Sequence, residues 1–413
     1  MSEGVANVCE PMTLPAFDAA AKKVKEVTLE TKLIPSQLFS DKFGAEVYLK
    51  PENLQNTGAY KVRGAYYKIS TLTDEERQRG LITSSAGNHA QGVAFAAKRY
   101  GVNATIVMPT TTPLIKVDRT RSYGAEVVLA GDVYDEAYER AMELAEERGL
   151  TFVHPFNDLS VATGQASIAM EIIQELPTVD MIVVPIGGGG LVSGISTLAK
   201  ELNPRIKVVG VEPAGAACMK ASLEAGHVVR LPKASTIADG TAVLEPGDKV
   251  FPYIRDNVDE IVTVRDHELI EAFLDVVENH KMIVEASGLL SVAALKHLDV
   301  AGKKVVCVLS GGNMDILSMS NVVQNGLIQR DRVFTISVQL PDRPGELVRV
   351  AAALAEAGGN VIRLEHNQFV NPNRNAAVEL RVTLEASGTE HKNHIMDSVR
   401  ELGLEPRLVQ AAF

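Results

Sequence analysis

From about Thr28 to Val323 the chain repeats one unit: a short apolar run, a turn, then an amphipathic helical stretch. No other feature constrains the fold as much, because strands that alternate with helices pair in parallel and bury both faces of their sheet. Ala104-Thr-Ile-Val-Met108 precedes a Pro/Thr turn and a helical stretch carrying Lys116 and Arg119. Val127-Val-Leu129 follows Gly124, Met181-Ile-Val-Val-Pro185 runs into glycines, and Val305-Val-Cys-Val-Leu309 meets Ser310-Gly-Gly. The expected class is α/β, with mostly parallel open sheets.

Near Asn325-Gly326 the rhythm changes. Phe334-Thr-Ile-Ser-Val-Gln-Leu340 alternates with period two, as a half-buried strand does. Asp342-Arg-Pro-Gly-Glu346 opens a helix, with Pro344 near its first position and Glu346 in its first turn. Gly358-Gly359 ends that helix. Strands at about 361–369 and 376–384 flank an Asn/Pro-rich turn at 370–375. A helix over about 391–402 and a short strand at 407–409 complete a βαββαβ order. The expected layout is a larger unit over 1–325, a linker at 326–332 and an α+β module over 333–413.

The composition, 46% hydrophobic and 23% charged, is that of a folded globular protein and not of a disordered one. With 41 basic and 52 acidic side chains the formal net charge is −11. That sign opposes a polyanion, and no Lys/Arg cluster offers a local exception, so nucleic acid is not an expected partner. Cys9, Cys218 and Cys307 are scattered, odd in number and without Cys-x-x-Cys spacing. This fits a reducing cytoplasm and speaks against a disulfide frame or a zinc site. Neither a signal peptide nor a membrane span is expected: a basic-then-apolar start is lacking, as is any apolar run of about 18 residues.

Lys50-Pro-Glu-Asn-Leu-Gln-Asn-Thr-Gly-Ala-Tyr-Lys61-Val-Arg-Gly64 sets Lys61 in a polar, Gly-flanked turn, and Ala65-Tyr66-Tyr67-Lys68-Ile69 after it reads as helix. A lysine that attacks a carbonyl must lose its proton, and a pocket that disfavours the ammonium lowers its pKa. The plain alternative is a loop lysine. Three loops, each directly after a strand, bear on the choice. Ser84-Ser-Ala-Gly-Asn-His-Ala-Gln-Gly92 leads into a helix whose free N-terminal amides suit a carboxylate; Ser84 and Ser85 either cap that helix or touch a ligand, and His89 is either structural or functional. Gly187-Gly-Gly-Gly-Leu191 lets backbone amides crowd around phosphate oxygens. Its rivals are tight packing alone and a loosened dinucleotide fingerprint, Gly188-x-Gly190-x-x-x-Gly194 with Glu212 at a later strand end. Ser310-Gly-Gly-Asn313 puts a hydroxyl at the carboxyl edge of a parallel sheet, where ligands of such folds bind. All three loops follow strands, so they should converge on one crevice. His391 and His394, three apart on a helix beside Lys392 and Asn393, lack a third ligand and read as a solvated face.

Together these segments resemble the fold-type II pyridoxal-phosphate enzymes, most closely the threonine/serine dehydratases, over about residues 15–325. The resemblance implies a tryptophan-synthase-β-like fold with a smaller subdomain inserted at about 60–158. It implies that Lys61 is the Schiff-base lysine of pyridoxal 5'-phosphate, with Tyr60 beside the ring. It also implies that Ser84, Ser85, Ala86, Gly87, Asn88 and His89 form the substrate loop, Asn88 facing the ring hydroxyl. Gly187, Gly188, Gly189, Gly190 and Leu191 would hold the phosphate, Gly240 would lie near the ring, and Ser310 would partner the pyridine nitrogen. The tail is similar to the ACT domain, a regulatory amino-acid-binding module, through Asp342-Arg-Pro-Gly-Glu-Leu347 and Gly358-Gly-Asn360. Pro344, Gly345 and Asn360 are the candidate effector contacts. A homotetramer with paired regulatory domains is implied as well.

Departures from the family pattern sharpen the expectation. Tyr60 stands where Phe is common, and Ala59 where Ser is frequent. Ala86 stands where the racemases carry a second serine; lacking a proton donor on that face, the chain is expected to stop at elimination. Cys218 replaces the acidic ligand of a divalent-cation site found in some relatives, so no metal is expected. The expected reaction is loss of water from L-threonine to give 2-oxobutyrate and ammonia, with side activity on L-serine giving pyruvate, serving isoleucine biosynthesis or threonine catabolism. Four alternatives stay open at this point: a serine-preferring dehydratase or racemase, a β-replacement enzyme, a nicotinamide dehydrogenase, and an amino-acid sensor with an inactive catalytic domain.

Overall fold

Strand-ending loops line up at one edge only when their strands run parallel, and the computed structural model, which describes residues 10–367 and 378–410, has this arrangement. Cys9 and the turn expected at 370–375 lie outside the described residues. The chain divides into two units, Met1–Asp315 and Ile316–Phe413.

The first unit holds two sheets. The larger runs Ile34–Pro35, Glu46–Lys50, Lys304–Val308, Met181–Pro185, Lys207–Pro213, Glu260–Val264; only its first pair is antiparallel. The smaller runs Glu126–Leu129, Ala104–Met108, Leu81–Ser84, Thr151–Phe152, parallel throughout. Every residue of Ala104–Met108 and Met181–Pro185 is buried, so these strands show no alternation of buried and exposed positions. Helices Leu159–Gln165 and Ser167–Glu175 pack on the large sheet, where Ile168, Ile172, Ile182, Val184, Val192 and Ile195 share one core. Leu81, Ile106 and Met108 form another core with Val62, Ala65 and Ile69 of helix Lys61–Thr71. That helix starts at the lysine and follows the chain out of the large sheet towards the small one.

After an opening helix the second unit has the order strand, helix, strand, strand, helix, strand, and its four strands form one antiparallel sheet. Val333–Leu340 lies between Val378–Glu385 and Arg407–Val409. It was expected to be half-buried, yet Thr335 and Ser337 on its polar face are buried too. The reason is local: Thr335 Oγ1 and Thr383 Oγ1 lie 2.8 Å apart across the pair, and Ser337 donates to Glu379, so these hydroxyls need no water. Helix Ile316–Gln329 runs through the boundary expected at 325 and belongs to this unit; Gly326, expected to mark the change, is buried within the helix.

Candidate functional site

Lys61 is placed by backbone contacts. Tyr60 N–H donates to the Ser310 carbonyl at 3.1 Å, Gly312 N–H donates to Gly58 at 2.9 Å, and Ala59 bridges Gly311 in antiparallel fashion. Gly58 turns the chain with φ +71, and a Cβ there would fall 2.5 Å from Asn313 Oδ1, so only glycine serves. Lys61 Nζ donates to the Pro155 carbonyl at 2.7 Å. Burial pushes its pKa down to about 8, against the opposing pull of Glu285. The Tyr60 ring packs on the core of the large sheet, its centroid 5.3 Å from Lys61 Nζ, and burial raises the hydroxyl's pKa further.

Ser84 ends its strand, and helix Asn88–Tyr100 begins after Gly87 with no side-chain cap. The serines are therefore not plain caps. Ser85 Oγ accepts from Gly87 N–H at 3.3 Å, whereas Ser84 Oγ is buried without a hydrogen-bond partner. Ala86 is half-buried in this loop. His89 is buried inside the helix, its Nε2 3.0 Å from the Val153 carbonyl and its Nδ1 unpartnered. Burial, with the charge of Lys61, pushes its pKa down to about 3 and keeps it neutral. Its ring thus ties the helix to the small sheet.

Helix Gly190–Leu202 starts in the glycine loop, so unpaired amides gather there. The four glycines are also demanded by packing. A Cβ on Gly188 would meet the Phe156 ring at 2.2 Å, one on Gly189 (φ +102) Ile254 at 2.6 Å, one on Gly190 the Phe156 carbonyl at 2.8 Å, and one on Gly187 Thr241 Cα at 3.2 Å. Leu191 is buried in the core behind the loop. The dinucleotide rival fails here, because both Glu212 oxygens are taken by Met219 N–H and Lys220 N–H at 2.8 Å. Gly240 is exposed, in a turn facing Gly187 and Ser287.

Ser310 follows strand Lys304–Val308 and is buried. Its loop meets the start of helix Asn88–Tyr100 through Asn313, whose Nδ2 donates to Asn88 Oδ1 at 2.8 Å. Asn88 Nδ2 in turn donates to Glu285 at 2.6 Å. The lysine turn, the Ser85–His89 loop and the Ser310 loop therefore meet at one place, and the glycine loop joins them through Phe156, next to the Pro155 carbonyl that holds Lys61.

Several members were missed by reading the sequence. Glu285 is a buried carboxylate whose pKa is pushed up to about 7, first by burial and then by Asp239. Its sequence signal is a lone charge after the apolar run Met282-Ile283-Val284. Arg63 was likewise passed over, as were His154, Pro155 and Phe156. Among the described residues no group of three His, Cys, Asp or Glu side chains stands ready for a metal ion.

In the second unit Pro344 and Gly345 are exposed at the start of helix Glu346–Glu356, Gly345 in the left-handed conformation with φ +96. Asn360, also exposed, donates to Glu385 at 3.1 Å. His391 corrects an expectation: instead of sitting on a solvated face, it is half-buried, with Nε2 2.9 Å from the Ala357 carbonyl and Nδ1 accepting from Ser387 N–H at 3.1 Å. His394 is exposed.

Known proteins match this arrangement along most of the chain. Residues 24–311 match the family described as pyridoxal-phosphate dependent enzymes, and residues 334–371 match the ACT domain. An L-threonine ammonia-lyase of Thermotoga maritima is 43% identical over 399 residues, covering 96% of this chain and 100% of that protein. An L-threonine ammonia-lyase of Geobacter sulfurreducens is 45% identical over 398 residues, 95% of this chain and 98% of the other. The solved structure of the processed form of threonine deaminase isoform 2 from Solanum lycopersicum superposes with a TM-score of 0.72 at 38% identity, covering 78% of this chain and 98% of that one.

Proposed function

Because the chain belongs to the pyridoxal-phosphate dependent enzyme family and carries an ACT domain, we propose that it deaminates L-threonine to 2-oxobutyrate and ammonia, with a lesser turnover of L-serine to pyruvate. The supporting observation is the meeting of the segments that carry Lys61, Asn88 and Ser310, with the Lys61 pKa pushed down to about 8. Relatives bearing the name L-threonine ammonia-lyase over almost the whole chain add to it.

The residues fit the cofactor. Lys61 offers a partly desolvated amine, the glycine loop offers a cradle that side chains would fill, and Ser84 offers a buried hydroxyl without a partner. Lys61 would bind it covalently, the amides of Gly187 to Leu191 its phosphate, Asn88 its ring hydroxyl and Ser310 its ring nitrogen, with Tyr60 and Gly240 beside the ring. The cofactor supplies an electron sink for the charge left when the α-proton departs.

This chain's residues do the rest. Amides and hydroxyls of the loop from Ser84 to His89 seat the substrate carboxylate at a helix start. Lys61, as a neutral amine, would take the α-proton. A serine hydroxyl cannot hold the ring nitrogen protonated as a carboxylate does, which favours prompt loss of the β-hydroxyl. The C–H and C–O bonds break, water leaves, and hydrolysis of the resulting enamine releases ammonia. Ala86 has no proton to return to the opposite face, so the α-carbon is not racemised.

The ACT domain binds an amino-acid effector, with Pro344, Gly345 and Asn360 as candidate contacts; Gly345 bares amides at a helix start. Isoleucine biosynthesis is the role that fits a threonine-deaminating enzyme under such control. A homotetramer is the assembly that the resemblance supports, and a cytoplasmic location fits the buried free thiols of Cys218 and Cys307. Initial rates on threonine and serine, each with and without isoleucine or valine, test reaction, preference and regulation together. Absence of 2-oxo acid from both substrates would sink the proposal, and Lys61→Ala should abolish both turnover and the near-visible absorbance.

A further inference from the structure

We propose that His154 is a positioning residue whose Nδ1 shapes the turn carrying two walls of the site: the Pro155 carbonyl on the Lys61 amine and the Phe156 ring against the phosphate-binding glycines.

His154 Nδ1 accepts two backbone hydrogen bonds, from Phe156 N–H at 3.2 Å and Asn157 N–H at 2.8 Å. This is the job an Asn or Asp oxygen does at the first residue of a tight turn. The turn points its two middle residues at different parts of the site. The Pro155 carbonyl takes the Lys61 Nζ hydrogen bond at 2.7 Å. The Phe156 ring and backbone lie where side chains on Gly188 and Gly190 would be. Asn157 closes the far side, its Oδ1 accepting from Lys249 N–H at 3.0 Å and its Nδ2 donating to Asp248 at 2.6 Å. One ring nitrogen therefore sets the amine and the phosphate cradle relative to each other.

The acceptor role needs an unprotonated Nδ1. Burial pushes the His154 pKa down to about 4; Lys61 and Lys249 add to that shift, and Asp158 and Asp248 oppose it. The ring itself packs edge-on against Phe156, Tyr138 and Phe152.

The test separates the acceptor from the ring. In His154→Asn an oxygen replaces Nδ1 at the same distance along the side chain. His154→Gln moves its polar end out to the Nε2 position, where it cannot reach these two amides. Both lose the aromatic packing equally. The inference rests on Lys61 as the cofactor-bearing residue, so wild-type protein with pyridoxal phosphate is the control. For each full-length variant, two readouts are taken: the dissociation constant for pyridoxal phosphate with resolved enzyme, and the pH midpoint of the near-visible absorbance. His154→Asn should stay within about threefold of wild type in affinity with the same midpoint, while His154→Gln should bind at least about tenfold more weakly with a displaced midpoint. If Asn and Gln behave alike in both readouts, the positioning role is overturned. A wild-type protein that gains no near-visible absorbance would overturn the cofactor reading beneath it as well.

Discussion

Arg63 grips Glu52 with a two-point fork, Nε to Oε2 at 2.7 Å and Nη2 to Oε1 at 2.8 Å, both side chains wholly out of solvent. The same guanidinium reaches both oxygens of Glu171 at 2.6 and 2.8 Å, and Lys50 adds a fourth charge, 2.5 Å from Glu171. Burial alone would raise the Glu52 pKa, but Arg63, with Lys50 and Thr31, outweighs it and holds the carboxyl below its ordinary range. The cluster fastens the first turn of the Lys61 helix to helix Ser167–Glu175.

Arg63→Met should therefore cost about 3–5 kcal/mol, because it takes the guanidinium from the wholly buried Glu52 carboxylate and leaves Glu171 with Lys50 alone. Arg63→Lys should rescue little, since a point charge cannot bridge both partners. Urea unfolding of the catalytic unit measures both. The wild-type contribution is present above the ordinary carboxylate pKa and fades as pH falls through the depressed one. The gap between variant and wild type must therefore narrow in acid, and a gap that widens below pH ~4 contradicts the assignment.

Uptake of pyridoxal phosphate by cofactor-free enzyme should speed up with pH and level off above about 8, because only the neutral Lys61 amine attacks and burial places its pKa there. Stopped-flow absorbance follows the reaction. A rate still climbing steadily to the pKa of an ordinary lysine would mean that the amine is solvated.

Gly188→Ala should weaken pyridoxal phosphate binding by about tenfold or more, since the new methyl meets the Phe156 ring at 2.2 Å. Adding Phe156→Leu should lose less than the sum of the two single changes, which equilibrium titration of the double-mutant cycle reports.

His89→Gln keeps a donor for the Val153 carbonyl but removes a buried imidazole whose pKa is pushed down to about 3. The unfolded chain protonates its histidine near 6.5, whereas the folded one refuses the proton until about 3. Wild-type stability therefore falls as pH drops through that window, by about 1.4 kcal/mol per pH unit from this residue. The variant's unfolding midpoint should fall less steeply between pH 6 and pH 4 (both approximate working limits). Parallel curves would show that His89 is solvated.

Lys61, the glycine loop and the Ser310 loop could be read from the sequence because each is a local pattern: a strand, then small residues, then a helix. The βαββαβ order of the second unit was legible for the same reason, through period two and turn chemistry. Glu285 was not, since its partner Asn88 is 197 residues away and nothing in either neighbourhood encodes the meeting. Arg63 sits between Val62 and Gly64-Ala65, a charge in a small apolar stretch, and that oddity was the only hint of its burial. His391 misled because helix spacing and polar neighbours describe a surface, while a long-range carbonyl from Ala357 claims its ring.

The contact between the lysine turn and the Ser310 loop has an unusual tolerance profile. Apart from the bond that Asn313 Nδ2 donates to the Thr57 carbonyl at 2.7 Å, its hydrogen bonds run from main chain to main chain, so exchanging the chemistry of other neighbouring side chains leaves the spacing of the two turns intact. What the contact cannot absorb is added bulk at Gly58, Gly311 or Gly312, each of which faces an atom within 2.7 Å of where a Cβ would stand, or a change in chain length. Such a junction is more sensitive to insertion or deletion than to substitution. Sequence length across these two turns, more than sequence identity, is what holds the amine in reach of its partners.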